Sequence, residues 1–341
     1  MKVCSNCFND IELKQFILAN SSEVGLCEYC NNGEQSQLIE IEELLDSLAE
    51  LINVFIPFAE GKPLLDTIQI DWNLFSENSN SRKLLDDLLN VLGKQDITSL
   101  TDVLYLEEIT DCVSYWDSLK QKIKWENRFL TNTDKLEELH WDRLFKKSVI
   151  ISNHELFYRA RLHNNDNQIG FDLSDMGTPE RNKTMAGRAN PQGIPYLYLS
   201  RNIETTLYEI RASFLDEVSI GTFKVKDDAI LELVDFTESI SAFDDSEFNL
   251  TELVKSRLLK RLISQDLSKP IRRYDSELEY IPTQFICEYI KYLYPVDGII
   301  FDSSLHNGGK NLVLFSQDKV ECVEVSKHRV SSVEIQSLII H

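Results

Sequence analysis

GRANPQGIPYLYLSRNIETTLYE, residues 187–209, holds the fold in miniature. A loop punctuated by Pro191, Gly193 and Pro195 carries Arg188 and Asn190, the apolar run Tyr196–Ser200 reads as a short strand, and Asn202 is placed to cap a helix bearing Glu209. A guanidinium in such a loop suits an anionic group, because its planar donors match paired oxygens. A carboxylate fixed one helix later suits a developing positive charge. The expectation is a compact turn–strand–helix unit carrying one group of each sign.

Working outward, further β-like runs occur at Val218–Lys226, Ile230–Asp235, Gly298–Asp302, Asn311–Phe315 and Glu321–Ser326. Helical patterns lie at about 203–214, 250–264 and 282–293, with Pro282 suited to a first helical turn. Several strands with few helices between them predict an α+β domain with a mixed, mostly antiparallel sheet over residues 151–341.

The preceding part reads differently. Cys4, Cys7, Cys27 and Cys30 form two CxxC pairs, and such pairs can offer four thiolates tetrahedrally to a structural Zn2+ with no open coordination position. Residues 1–36 are therefore expected to be a small zinc-binding module, ending in the polar stretch Asn31–Ser36. Residues 37–150 show helical spacing, beginning with Leu38, Ile41, Leu44, Leu45, Leu48, Leu51 and Ile52. A second helix is expected with Ser81 as its cap, and others near 98–106, 112–126 and 133–147, making a helical bundle.

The chain has 341 residues and a net charge of −21, which disfavours nucleic acid and anionic membranes as partners. Residues 155–211 form a neutral block within it, with 7 basic and 7 acidic side chains. No apolar run approaches the roughly 20 residues that span a bilayer, and MKVCSNCFND lacks a hydrophobic signal core, so a cytoplasmic location is expected. Cys112, Cys287 and Cys322 then read as reduced core residues. There is no GxGxxG strand–helix unit and no GxxxxGK[ST] loop, which excludes Rossmann and P-loop nucleotide sites. His306 follows Ser303 and Ser304, but no orienting acid or oxyanion site completes a Ser/His hydrolase.

Two further blocks accompany the first: YRAR at Tyr158–Arg161, and DGIIFDSSLHNGGKNLVLF from Asp297 to Phe315. On a strand Arg159 and Arg161 face the same side. Together the three blocks, within roughly residues 155–326, resemble the RES domain family, named for an arginine, a glutamate and a serine. The resemblance implies an ADP-ribosyltransferase-like fold and cleavage of the nicotinamide–ribose bond of NAD+, by hydrolysis or phosphorolysis, in a toxin or defence effector. Some members instead transfer ADP-ribose to a protein. A non-catalytic regulator that binds NAD+ or a protein is the alternative of another class.

Carried onto this chain, the resemblance makes Arg159, Glu209 and Ser303 the catalytic set, with Ser304 the alternative serine. Tyr158, Arg161, Arg188, Asn190, Tyr198 and Asn311 would contact NAD+. The helical region is similar to the HEPN-like segments found ahead of longer RES proteins. Its histidine, His140, precedes Arg143 and lies well after Arg128, so it lacks the HEPN ribonuclease motif. A regulatory role and self-association through the helices are the expectations for that half, and an inhibitory partner protein is an expectation for the chain as a whole.

Overall fold

In the computed structural model, residues 1–21, 23–30, 33–129, 134–146, 148–164, 169–237, 241–243, 249–269 and 277–334 are described. The chain divides into two compact units, Met1–Tyr115 with Ser239–Leu259, and Trp116–Glu238 with Lys260–His341.

The first unit opens with strands β1 (Lys2–Cys4), β2 (Glu23–Leu26) and β3 (Gln35–Glu40), an antiparallel sheet in the order β1-β3-β2. Helix α1 (Ile11–Asn20) lies between the first two strands, and Asp10 caps it by accepting from the Leu13 N–H at 3.1 Å. Helix α2 (Leu45–Asn53) buries Leu48, Leu51 and Ile52 in one stripe, as the helical spacing requires. Strand β4 (Phe55–Pro63) is followed by α3 (Leu64–Trp72) and α4 (Ser81–Val91). Helix α4 is capped by Asn80, whose Oδ1 accepts from Lys83 N at 3.2 Å, one residue before the expected Ser81. It buries Leu84, Leu85, Leu88 and Leu89. Val3, Cys4, Cys7 and Phe8 share one core with these leucines, so the cysteine segment and the helices are packed together.

The helix expected near 98–106 is absent. Thr98 and Thr101 close a turn, with Thr98 N donating to Thr101 Oγ1 at 2.8 Å, and Asp102–Tyr105 then pairs with β4 as strand β5. The packing at Gly61 shows how close that pairing is: a Cβ there would lie 2.3 Å from the Val103 carbonyl oxygen. The region is thus helical with a two-stranded sheet inserted. Helix α5 (Glu107–Trp125) covers the expected 112–126 segment. The expected 133–147 helix is two short ones, α6 (Asp134–Glu138) and α7 (Trp141–Leu144), because His140 between them has a left-handed φ of 57°.

The second unit is built on β6 (Val149–Ile151), β7 (Leu156–Leu162), β8 (Leu197–Ser200), β9 (Glu217–Val225), β10 (Leu231–Asp235), β11 (Gly298–Asp302), β12 (Lys310–Leu314) and β13 (Val320–Arg329). They form one eight-stranded sheet in the order β13-β9-β7-β8-β12-β11-β10-β6. Only β10 and β11 are parallel, so the sheet is mixed and mostly antiparallel, as expected. The second unit also holds α8 (Ile203–Glu209), the part of α9 (Leu250–Ser268) from Lys260 on, and α10 (Ile281–Leu293), the last with proline in its first turn. One face of the sheet buries Phe157, Leu197, Leu199, Phe223, Leu233 and Leu312.

One irregularity positions everything that follows. β7 pairs with β9 over seven residues, but with β8 only at Tyr158–Ser200. Where the β7–β8 ladder stops, the Ala160 N–H donates instead to Thr206 Oγ1 of α8 at 3.0 Å. A helix side chain has taken the place of a strand carbonyl, which satisfies a buried donor and ties α8 to the sheet.

Candidate active site

Helix α8 begins where expected: Asn202 Oδ1 accepts from Thr205 N at 2.7 Å. It is shorter than expected and stops at Glu209, because Arg211 adopts a φ of 52°. Leu207 and Ile210, three residues apart, pack with Tyr158 on a small cluster of Ala160, Val218 and Ile220. Glu209 is thereby held at the end of a helix clamped to β7.

The carboxylate has two donors on one oxygen. Ser303 Oγ donates to Glu209 Oε1 at 2.6 Å, and Asn311 Nδ2 donates to the same atom at 2.7 Å. Ser303 directly follows β11, and its hydroxyl also accepts from the N–H groups of Leu305 and His306 at 3.2 and 3.1 Å. That pattern is a serine turn, which fixes the hydroxyl before any ligand arrives. Of the two candidate serines, Ser303 holds Glu209, while Ser304 lines the cavity. Asn311 lies on β12 directly opposite Ser200 of β8, and Ser200 Oγ donates to Asn311 Oδ1 at 2.8 Å.

The serine turn is locked to α8 by His306. Its Nδ1 bonds Thr205 Oγ1 at 2.7 Å, and its ring stacks on Tyr208 with centroids 5.0 Å apart. Gly309 makes this approach possible, since a Cβ there would lie 2.5 Å from Thr205 Oγ1 and 2.9 Å from His306 Nδ1.

A cavity of about 350 Å3 adjoins these residues, within the range that holds small ligands. Glu209, Asn311, Tyr198, Arg159 and Arg188 all line it. Arg159 is held by the carbonyls of Met176 and Gly177 at 3.2 and 2.7 Å, and Arg188 by the carbonyl of Leu267 at 2.5 Å. Neither forms an ion pair with a carboxylate among the described residues. Burial, with some repulsion from Arg161, lowers the Arg159 pKa to about 10, and burial also lowers that of Arg188. A lowered pKa on a buried guanidinium means that an anion beside it would be welcome.

Arg161 reaches the same turn as Arg159, donating to the Asp175 carbonyl at 2.5 Å and stacking over Phe171 at 5.3 Å. The shared face expected of the two arginines is thus what directs both to residues 173–177. Tyr158 packs under α8 at the single β7–β8 pair. Asn190 is buried and fully engaged within its own loop: Nδ2 donates to the carbonyls of Met185, Pro191 and Ile194, and Oδ1 accepts from the Tyr198 hydroxyl at 2.7 Å. Burial pushes the Tyr198 phenol above its ordinary value and keeps it protonated for that bond. Asn190 therefore shapes the loop that presents Arg188. Helix α10 holds the loop from outside, with Gln284 donating to the carbonyls of Gly187 and Asn190 and Thr283 to that of Arg188.

Ser200, Thr206 and Gln284 were not distinguishable in the sequence. Each is a common polar residue whose role depends on a cross-strand or long-range partner.

The four cysteines form a separate centre in the first unit. Their Sγ atoms all lie within 4.8 Å of one another, with Cys4–Cys30 at 3.2 Å, Cys7–Cys30 at 3.3 Å and Cys7–Cys27 at 3.4 Å. A tetrahedral zinc with Zn–S bonds of about 2.3 Å needs sulfurs in that range. Tyr29 N donates to Cys27 Sγ at 3.4 Å, and the Tyr29 hydroxyl is anchored on Asp87 at 2.9 Å. The donor set is compatible with a structural zinc, and all four positions are filled by protein thiols.

No helix among the described residues is long and apolar enough to cross a membrane. No curated protein matches the chain. Residues 156–336, more than half of the sequence, match the model of the RES domain, the stretch that contains Arg159, Arg188, Glu209, Ser303 and Asn311. The chain belongs to the RES domain family.

Proposed function

We propose that this protein consumes NAD+ by breaking its nicotinamide–ribose bond. The RES domain ties the chain to NAD-related chemistry in general. The observation that carries the finer reading is Glu209. Its carboxylate is fixed through Oε1 by Ser303 and Asn311, in a cavity that also holds two arginines that form no ion pair with a carboxylate among the described residues.

The chemistry follows from those groups. Arg159 and Arg188 bind the pyrophosphate, whose oxygens suit planar guanidinium donors. Glu209 Oε2, the oxygen left outside the internal hydrogen bonds, accepts from a hydroxyl of the nicotinamide ribose. The C1′–N bond then breaks, its electron pair leaves with neutral nicotinamide, and positive charge develops on the ribosyl carbon. A carboxylate already immobilised near that carbon stabilises the charge without reorganising, and removing such a group costs about 100- to 1,000-fold in rate. The acceptor, whether water, inorganic phosphate or a protein side chain, completes the reaction at C1′.

Incubation of the purified protein with NAD+, with and without phosphate, followed by mass spectrometry of the products, tests this reading. Free nicotinamide with ADP-ribose identifies hydrolysis, and with a phosphorylated ADP-ribose identifies phosphorolysis. Mass added to a supplied protein identifies transfer. Intact NAD+ under every condition overturns the reading. Bound but unconverted NAD+ assigns the cavity to a regulator instead.

A further inference from the structure

Glu209 depends on an amide that can point two ways. Asn311 carries a donor and an acceptor of nearly the same shape, and rotation by half a turn exchanges them. The carboxylate only accepts, so Asn311 must turn Nδ2 toward Glu209, and its Oδ1 then faces the opposite side. On that side lies Ser200 Oγ at 2.8 Å, in a fully buried hydrogen bond between register partners on β8 and β12. Neither side chain is exposed by more than 6%. Both residues line the cavity, so this bond stands at its wall, beside Glu209.

We infer that Ser200 is a positioning residue: its hydroxyl holds Asn311 in the one amide orientation that donates to Glu209 Oε1, leaving Oε2 for the ligand. This rests on the reading of Glu209 given above. Without the hydroxyl, the Asn311 oxygen loses its protein donor among the described residues. The amide then has no preference strong enough to stop it from turning that oxygen against the carboxylate. Ser200 has a register partner on each side, Tyr158 of β7 and Asn311 of β12, and such cross-strand partners project their side chains to the same face of the sheet. Its side-chain hydrogen bond among the described residues is to Asn311, and it acts through that bond from the cavity wall.

Two measurements on full-length protein separate this inference from the reading it rests on. The first is the side-chain amide signal of Asn311 in protein labelled with 15N-asparagine, assigned by its loss in Asn311→Ser. In Ser200→Ala the two NH2 protons should shift and exchange faster, and Ser200→Thr, which keeps the hydroxyl, should restore the wild-type signal. The second is steady-state turnover of NAD+. Ser200→Ala should lower kcat about tenfold or more with KM changed less than threefold, and Ser200→Thr should recover most of the loss. If Ser200→Ala does not fold, Ser200→Cys, which keeps the shape but offers a weaker donor, replaces it in both measurements. An unshifted Asn311 signal overturns the inference, as does a shifted signal with unchanged kcat. A wild-type protein that leaves NAD+ intact overturns the proposed activity, while the amide signal still decides whether Ser200 orients Asn311.

Discussion

Ser303 Oγ and Asn311 Nδ2 both donate to one atom, Glu209 Oε1, at 2.6 and 2.7 Å. Two donors on a single oxygen hold that atom in place, and they leave the second oxygen outside the internal hydrogen bonds. The shared acceptor has a kinetic consequence. Ser303→Ala and Asn311→Ala should each lower kcat by about 10- to 100-fold, consistent with hydrogen bonds to a charged group of about 1.5–3 kcal/mol. The double variant should fall well short of the product of the two, because after the first loss the carboxylate is already free to turn. Steady-state kinetics on the three variants checks this.

Gly309 gives a prediction that does not touch the carboxylate. Its Cβ would meet Thr205 Oγ1 at 2.5 Å and His306 Nδ1 at 2.9 Å, so Gly309→Ala must push the serine turn away from α8. Turnover should fall at least tenfold, since displacements of about 1 Å in a positioned group have effects of that order or larger. Thermal unfolding should show only a modest loss, because the clash lies at a turn and not in the sheet core.

For the N-terminal unit the expectation concerns metal. Purified protein should contain one zinc per chain by elemental analysis. Cys7→Ser or Cys27→Ser should lower that content and open Cys4, Phe8 and Tyr29 to solvent, detected as lost hydrogen-exchange protection in residues 1–30. Full protection in the metal-free protein would contradict a structural role.

The acid limb of stability should report Glu217. Hydrogen bonds from Lys327 and then Arg329 hold its carboxyl at about 2, below the ordinary 4.5. A carboxylate depressed in the folded state adds stability that is complete above about pH 4.5 and is lost as pH falls toward 2. The Tm difference between wild type and Glu217→Gln should therefore be constant near neutrality and shrink through that window. A difference that grows on acidification would contradict it.

How much of this was written in the sequence varies with the range of the forces involved. The loop–strand–helix unit at 187–209 was legible because Gly193, Pro195 and Asn202 act on their own neighbours. The end of α8 was not legible, since no glycine or proline marks it and Arg211 takes the left-handed conformation itself. Residues 98–106 misled because a strand of four residues is too short to show a period, and its identity comes from β4, some 40 residues earlier in the chain. Glu209, Arg159 and Ser303 could be named through the family resemblance. The meeting of Ser303 with Glu209, the loop-shaping role of Asn190 and the part of Ser200 all required the sheet register, which local sequence does not carry.

The central claim concerns Glu209, and nicotinamide release from NAD+ by wild-type protein and Glu209→Gln tests it most directly. The variant is nearly isosteric and keeps an oxygen for Ser303, but it cannot carry the negative charge. Wild type should release nicotinamide, and Glu209→Gln should be slower by about 100-fold or more while still binding NAD+. Equal release by both proteins, or none by wild type with water, phosphate and protein acceptors all supplied, would contradict the account.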